Sequence, residues 1–362
     1  MKELKKLIES LVYTMTVSGF EKNNAQKILD ICCEFGKGCY DKAYVTKSGS
    51  VVLAKYGKGE SRHVLCFDAH VDTIGFAVTE ICDNGFLKVT NLGGVDVNIL
   101  PASEVVIHGK QELKGVFTSI PPHLSRNDNL PEIGQLMIDT GFSSKDELLK
   151  YVDIGTPVTM KPHVTTMMNN RISATGLDDK ICIAAVMKAL ECLENTTLEN
   201  TDVYCYFSSG EERGGNGSYH MFHDIKPDAC IVLDVNFAKE KGSRQGEYGV
   251  LGQGSMLSLS SVTNRKLTLM CKDCAGKNDI PLQTVVEMTG TGTNADVCAR
   301  TGKGIATAVV SVPLKYMHSS VECASLDDVI NTARLLSEIA VEYDKNPIGV
   351  PVYHKGGADL GL

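Results

Sequence analysis

The chain has 362 residues, 43% hydrophobic and 22% charged, with 36 basic against 44 acidic side chains and a formal net charge of −8. At about 150 residues per domain, this length predicts a soluble globular protein of two or three domains. The acidic balance argues against a nucleic-acid or anionic-membrane partner, which needs a basic face, and no run approaches the ~18 apolar residues of a membrane span.

The opening segment MKELKKLIESL carries charges throughout, unlike a signal peptide. Apolar residues at helical spacing predict helices over 2–17 and 20–36, with Ser18-Gly19 between them. From about 41 to 118 the pattern becomes short β-rich runs, from AYVTKSGSVVLAKYG to KGVFTS, separated by Gly, Asn and Asp. Successive strands without helices between them predict an antiparallel sheet or a small barrel. A proline-rich stretch, SIPPHLSRNDNLPEIG, and a short helix near SSKDELLKYV come next.

After about residue 165 the elements alternate: helix 178–193, strand 202–208, helix 216–223, strand 229–235, helix 264–275, strand 282–286, helix 294–301, strand 305–313 and helix 325–343. Such alternation predicts an α/β fold, a sheet covered by helices on both faces. The N-terminal helices and strand 63–69 join the same layers. The expected division is therefore 1–71 and 165–362 for the layered α/β/α domain, with 72–164 a β-rich insertion. Thirteen cysteines, an odd number scattered through apolar segments, predict reduced thiols in a cytoplasmic protein.

In open α/β sheets, ligands bind beyond the carboxyl ends of the strands. The strand HVLCF leads to Asp68, His70 and Asp72, and DVYCYFSS leads to Glu211-Glu212. CIVL ends at Asp234, and IATAVVSVPL leads to His318. Asp178-Asp179 opens the helix whose apolar face is Ile181, Ala184, Ala185 and Leu190. Taken alone, each has a plain reading: Asp178-Asp179 as an N-cap with a first-turn carboxylate, Asp234 as a hydrogen-bonded buried carboxylate, each histidine as a satisfied imidazole. Together they place several carboxylates at one sheet edge, where they would repel one another unless divalent ions intervened. Two ions about 3.5 Å apart need a bridging carboxylate and terminal His, Asp or Glu ligands. No HExxH and no GxSxG occurs. Neighbouring side chains on extended backbone point opposite ways, so of Glu211 and Glu212 one is expected to bind metal and the other to act as general base.

The segments AHVDTIGF, GLDDK, EERGGNGS, PDACIVLDV and PLKYMHSS, in this order, resemble the M42 family of metallo-aminopeptidases, the tetrahedral and glutamyl aminopeptidase group. The likeness extends to GVFTSIPPHLS, LMIDTGFSSKDE and PLQTVV and covers most of the chain. It implies a di-metal peptidase domain with an inserted, barrel-like dimerisation domain, hydrolysing N-terminal residues from short peptides. Position by position it implies a first ion on His70 and Asp234, a second on Glu212 and His318, and Asp178 between them. Glu211 would be the catalytic base and acid, and Asp72 would orient His70 through its other ring nitrogen. A cis peptide between Asp178 and Asp179 is also implied. The two divalent ions per subunit would be zinc, with cobalt or manganese also suited to such ligands. The expected assembly is a homo-oligomer, from dimer to tetrahedral dodecamer. Thr73, Gly215, Asn216 and Asn294 stand where the family commonly has Glu, Leu, Arg and Asp, so the family's residue preference is not carried over. A related M20-type deacylase or carboxypeptidase, and a non-catalytic homologue, are the alternative readings.

Other candidates have structural readings. His220 and His223 are i, i+3 on a helix without a third donor nearby, and Cys271-x-x-Cys274 lacks a second pair. His63 and His108 read as sheet residues, and His123 as a loop residue. The GQGSM and GTGTNAD glycines read as cleft loops rather than phosphate cradles.

Overall fold

The computed structural model of the chain describes residues 1–60, 62–121, 123–124, 132–240, 243 and 248–348. Helices α1 (Lys2–Val12) and α2 (Ala25–Phe35) open it. α1 ends five residues before the helix predicted from periodicity. The β-branched run of Thr14, Thr16 and Val17 disfavours helix, and Val17 instead bridges to Thr73. Strands β1 (Lys42–Val45), β2 (Val51–Lys55) and β3 (His63–His70) come next, then β4 (Gly75–Ile81), β5 (Leu87–Leu92), β6 (Glu104–His108), β7 (Glu112–Phe117), β8 (Ile138–Asp139) and β9 (Pro157–Met160), with the short helix α3 (Lys145–Leu148) before β9. The chain continues through β10 (Val164–Thr166), β11 (Arg171–Ala174), α4 (Leu177–Cys192), β12 (Thr201–Ser208), α5 (Asn216–Ile225), β13 (Ala229–Phe237), β14 (Ser255–Ser260) and α6 (Arg265–Lys277). It closes with β15 (Leu282–Glu287), α7 (Ala295–Cys298), β16 (Ala306–Lys315), β17 (Glu322–Ser325) and α8 (Leu326–Lys345).

Eleven strands form one sheet whose centre, β12-β3-β13-β16, is parallel. Alternation along these strands builds two cores. Leu65, Phe67, Ile231 and Leu233 face the larger core, shared with α1, α2, α4, α6 and α8, while Cys66, Cys230 and Val232 face the smaller one under α5 and α7. Helices therefore cover both faces, the architecture expected from the alternating elements. The β1–β2 hairpin, which the sequence grouped with the β-rich run, lies at the edge of this sheet against β12. Four strands that periodicity did not predict, β10, β11, β14 and β17, are also part of the sheet.

The helix α4 has no single apolar face. Ile181 to Val186 are all buried, because α4 packs on α1 and α8 on one side and on β3 and β13 on the other. The six strands β4-β5-β8-β7-β6-β9 close a separate barrel around its own core, where the rings of Phe76 and Phe117 meet edge to face at 5.1 Å. The predicted helix 294–301 is reduced to the four residues of α7. None of the described helices is long and apolar enough to cross a membrane.

Candidate metal centre and active site

Parallel pairing brings the carboxyl ends of the central strands to one edge: His70 ends β3 opposite Ser208 of β12, and Asp234 of β13 lies opposite Ser311 of β16. His70 is nearly inaccessible. Its Nδ1 pairs with the main-chain oxygen of Asp72 at 2.8 Å. A carbonyl oxygen can only accept, so Nδ1 carries the proton and Nε2 is turned toward Asp178 Oδ1 at 3.0 Å and Asp234 Oδ1 at 3.8 Å. His318 is held in the same way. Its Nδ1 donates to the carbonyl oxygen of Gly94 at 2.8 Å, and Nε2 faces Asp178 Oδ2 at 3.3 Å and Glu212 Oε1 at 3.7 Å.

Asp178 thus offers one oxygen to each imidazole. His70, Asp178 and Asp234 form one set of converging donors and Asp178, Glu212 and His318 a second. The Asp178–Asp179 peptide is cis, and these two residues leave the helical backbone of α4. Asp178 N–H donates to Glu322 at 3.1 Å, and Asp179 Oδ2 accepts from the N–H of His70 at 3.2 Å.

The extended backbone expected at Glu211-Glu212 is overturned. Glu211–Arg213 is a single 3-10 turn, opened by Gly210 at φ 72° and trailed by Gly214 at φ 103° and Gly215 at φ 74°, conformations that glycine adopts without steric cost. The pleat argument therefore does not apply, and the turn itself separates the two side chains: Glu212 joins the second donor set while Glu211 does not. Asp72 fixes this turn. Its two carboxylate oxygens accept the N–H groups of Glu211 at 3.0 Å and Glu212 at 3.1 Å, while the hydrogen bond to the other ring nitrogen of His70 is made by its main-chain oxygen, with its Oδ1 3.7 Å from the same nitrogen. Asp68, two residues before His70, belongs to neither donor set and accepts from Ser218 Oγ at 2.7 Å.

Glu322, which the sequence reading did not single out, is 2% exposed. Its two oxygens accept from the N–H groups of Asp178 and His318, so one carboxylate ties together residues from both donor sets. Only its place in β17, a strand too short to show a period, could have signalled it.

The electrostatics fit a pair of cations. Burial, with the neighbouring carboxylates, pushes Glu211 up to about 9 and Glu212 up to about 8. Asp234 is raised, first by burial and also by Asp178. Burial alone would lower His70, but its bonds to Asp178 and Asp234 outweigh this and hold it well above its usual value; the bond to Asp178 lifts His318 to about 9. Asp178 goes the other way: burial pushes it up, but its bonds to His318 and His70 outweigh this and hold it below the usual carboxylate range. An ionised carboxylate between two oriented imidazoles, flanked by carboxylates that burial and repulsion raise, is a donor set suited to divalent ions.

Among the described residues the remaining candidates join neither donor set. His220 and His223 are exposed on α5, their rings against Tyr219, and Cys271 and Cys274 are buried on α6. His108 bonds Thr159 Oγ1 at 2.9 Å, His63 lies 3.7 Å from Asp228, and His123 is exposed. The glycine loops are filled by the chain itself: Gly252 and Gly254 N–H groups donate to Asp328, and Thr291 and Gly292 N–H groups to Asp296.

The family described as M42 glutamyl aminopeptidase matches residues 49–335. The chain is 34% identical to a lysyl aminopeptidase of Pyrococcus furiosus, over 94% of this chain and 96% of that one. It superposes on an aminopeptidase of the archaeon Desulfurococcus kamchatkensis with a TM-score of 0.87, at 29% identity, over 97% and 99% of the two chains. The TET1 peptidase of Pyrococcus horikoshii gives 0.80 at 28%, over 93% and 99%, and that protein is described as able to assemble into a tetrahedron or a large octahedral shell. The match spans well over half the chain, takes in the donors at 70, 178, 212, 234 and 318, and shows that the chain belongs to the M42 family of aminopeptidases, hydrolases of N-terminal peptide bonds.

Proposed function

We propose that the chain is a co-catalytic two-metal aminopeptidase acting on short peptides. His70 and Asp234 would hold one ion, Glu212 and His318 the other, and Asp178 both. The observation that carries this is the pair of Asp178 oxygens, each facing a different imidazole whose far nitrogen is already committed to a carbonyl. When bound, two such ions polarise a carbonyl and lower the pKa of water between them. Zinc is the proposed metal, with cobalt and manganese compatible with the same donors.

Glu211 lines the same cleft as the five donors and belongs to neither donor set, which leaves its carboxylate for proton transfer. It takes a proton from the attacking water and returns it to the departing amine. Asp72 keeps Glu211 and Glu212 in register by holding both of their amides. The barrel is proposed as the dimerisation module of a homo-oligomer in the cytoplasm, up to a tetrahedral dodecamer, an assembly that would admit short peptides only.

Metal analysis of the purified protein, with free-amine, N-acylated and carboxyl-terminal substrates assayed side by side, tests the reading. The expected result is about two divalent ions per chain and hydrolysis of free-amine substrates alone. Glu211→Gln should abolish hydrolysis with metal content unchanged. Cleavage confined to N-acylated or carboxyl-terminal substrates would overturn the reading in favour of an M20-type deacylase or carboxypeptidase.

A further inference from the structure

The reacting centre opens on a cleft of about 630 Å³ that contains all five donors and Glu211. A smaller cavity of about 170 Å³ touches Asp178, Glu212 and His318 but not Glu211. A scissile carbonyl within reach of Glu211 therefore lies in the larger cleft, which also has room for a long side chain on the substrate's first residue. We infer that Glu287 sets the specificity of this cleft, selecting peptides whose first residue is lysine or arginine; the inference rests on the aminopeptidase reading above.

Glu287 is the last residue of β15 and half-buried in the cleft wall. Its Oε1 accepts from Asn236 Nδ2 at 3.0 Å and Ser258 Oγ at 3.4 Å, while its Oε2 takes no hydrogen bond from the described residues. The carboxylate is thus oriented yet retains an open acceptor. Asn236 lies two residues beyond Asp234 on β13, on the same side of the strand and about 6–7 Å further along it. The anionic end of the cleft is offset from the proposed ions by a distance that the four-carbon stem of lysine can span. The same cleft is lined by apolar Val297, Met317 and Phe237, the last 54% exposed, surface of the kind on which an aliphatic stem packs while its charged head reaches beyond it.

Two other charged residues line the cleft outside the proposed donors and base. The carboxylate of Asp296 is taken up by the N–H groups of Thr291 and Gly292 and the hydroxyl of Thr291. Arg300 is exposed and tied through Nε to the main-chain oxygen of Asp296 at 2.6 Å, where solvent weakens its pull on a substrate anion. Glu287 is the group both partly desolvated and free to pair.

The test is a series of aminoacyl reporters, Lys, Arg, Leu, Ala and Glu, on the metal-loaded protein, with Glu287→Gln and Glu287→Lys beside the wild type. The wild type should show kcat/KM on Lys and Arg at least roughly tenfold above Leu and Glu, the size of a charge-assisted hydrogen bond. Glu287→Gln should collapse the Lys-to-Leu ratio by a similar factor, and Glu287→Lys should raise the Glu-to-Lys ratio. Preference for Glu would overturn the inference in favour of Arg300. An equal fall on all reporters in Glu287→Gln would overturn it by making the residue merely structural. Hydrolysis of Leu and Ala without Lys would also overturn it while leaving the aminopeptidase reading intact, whereas no turnover of any free-amine reporter would defeat both.

Discussion

Replacing Glu322 by alanine should damage stability and metal binding together. The carboxylate is almost wholly buried and is the acceptor for two amides, those of Asp178 and His318. Truncation leaves both N–H groups facing a void. Each unsatisfied buried donor costs about 1–3 kcal/mol, so Glu322→Ala should lose about 2–6 kcal/mol out of a total stability of about 5–15 kcal/mol. Those amides belong to one ligand of both proposed ions and one ligand of the second. Loosening them should also weaken zinc binding by about 10–100-fold, as removing a ligand's hydrogen-bond partner typically does. Glu322→Gln should fall between, because it keeps one acceptor oxygen and sets an NH2 group against the other amide. Thermal unfolding in excess chelator reads the first effect, and zinc titration against a competing chromophoric chelator reads the second. If Glu322→Ala melts with the wild type in chelator and binds zinc as tightly, the proposed tie between the donor sets is wrong.

Asp178→Asn should lower metal content from about two ions to one or none, as measured by elemental analysis of dialysed protein; retention of two would remove Asp178 from its place between them. In the metal-free chain, His318 sits at about 9 and Glu212 at about 8, so at pH 7 both carry protons that an incoming ion displaces, and metal affinity should climb as pH rises through that window. Calorimetric zinc titrations at pH 7 in buffers of different ionisation enthalpy should show net proton release, and an enthalpy independent of buffer would contradict this. Gly94→Ala places a Cβ 3.1 Å from His318 Nδ1; it should weaken the second ion by a few-fold up to about tenfold and spare the first, read as a split between two binding steps that an unaltered isotherm would refute.

Four of the five proposed donors were legible because each lies at or just after the end of an apolar strand, and strands of a parallel sheet deliver the residues at their carboxyl ends to one edge; Asp178 stood out instead as part of the acidic pair that opens α4. The layered class was legible for the same reason, through the alternation of runs such as CIVL with amphipathic helices. Short elements were not: β11 and β17 have four residues each, fewer than needed to show a period of two against a neighbouring turn. Glu322 was missed with β17. The Glu211-Glu212 turn was misread although Gly210, Gly214 and Gly215 bracket it, because the preceding strand suggested continuation rather than a reversal. The end of α1 was misplaced because its apolar spacing runs on after the backbone preference has changed. Contacts made by main-chain groups, such as the carbonyls of Asp72 and Gly94 on the two imidazoles, carry no side-chain signature and could not be read from residue types.

The bond from His318 to Gly94 crosses a boundary between parts of the molecule. Gly94 comes just after β5 of the closed barrel, whereas the imidazole stands at the rim of the large sheet, and Gly93 packs so near Glu212 that even a methyl group would crowd it. The two bodies are thus stitched at the point where chemistry is expected, and a tilt of the barrel of a fraction of a bond length would be felt first by one imidazole. Whatever a neighbouring copy pressed against the barrel would have a mechanical route inward, making turnover sensitive to company.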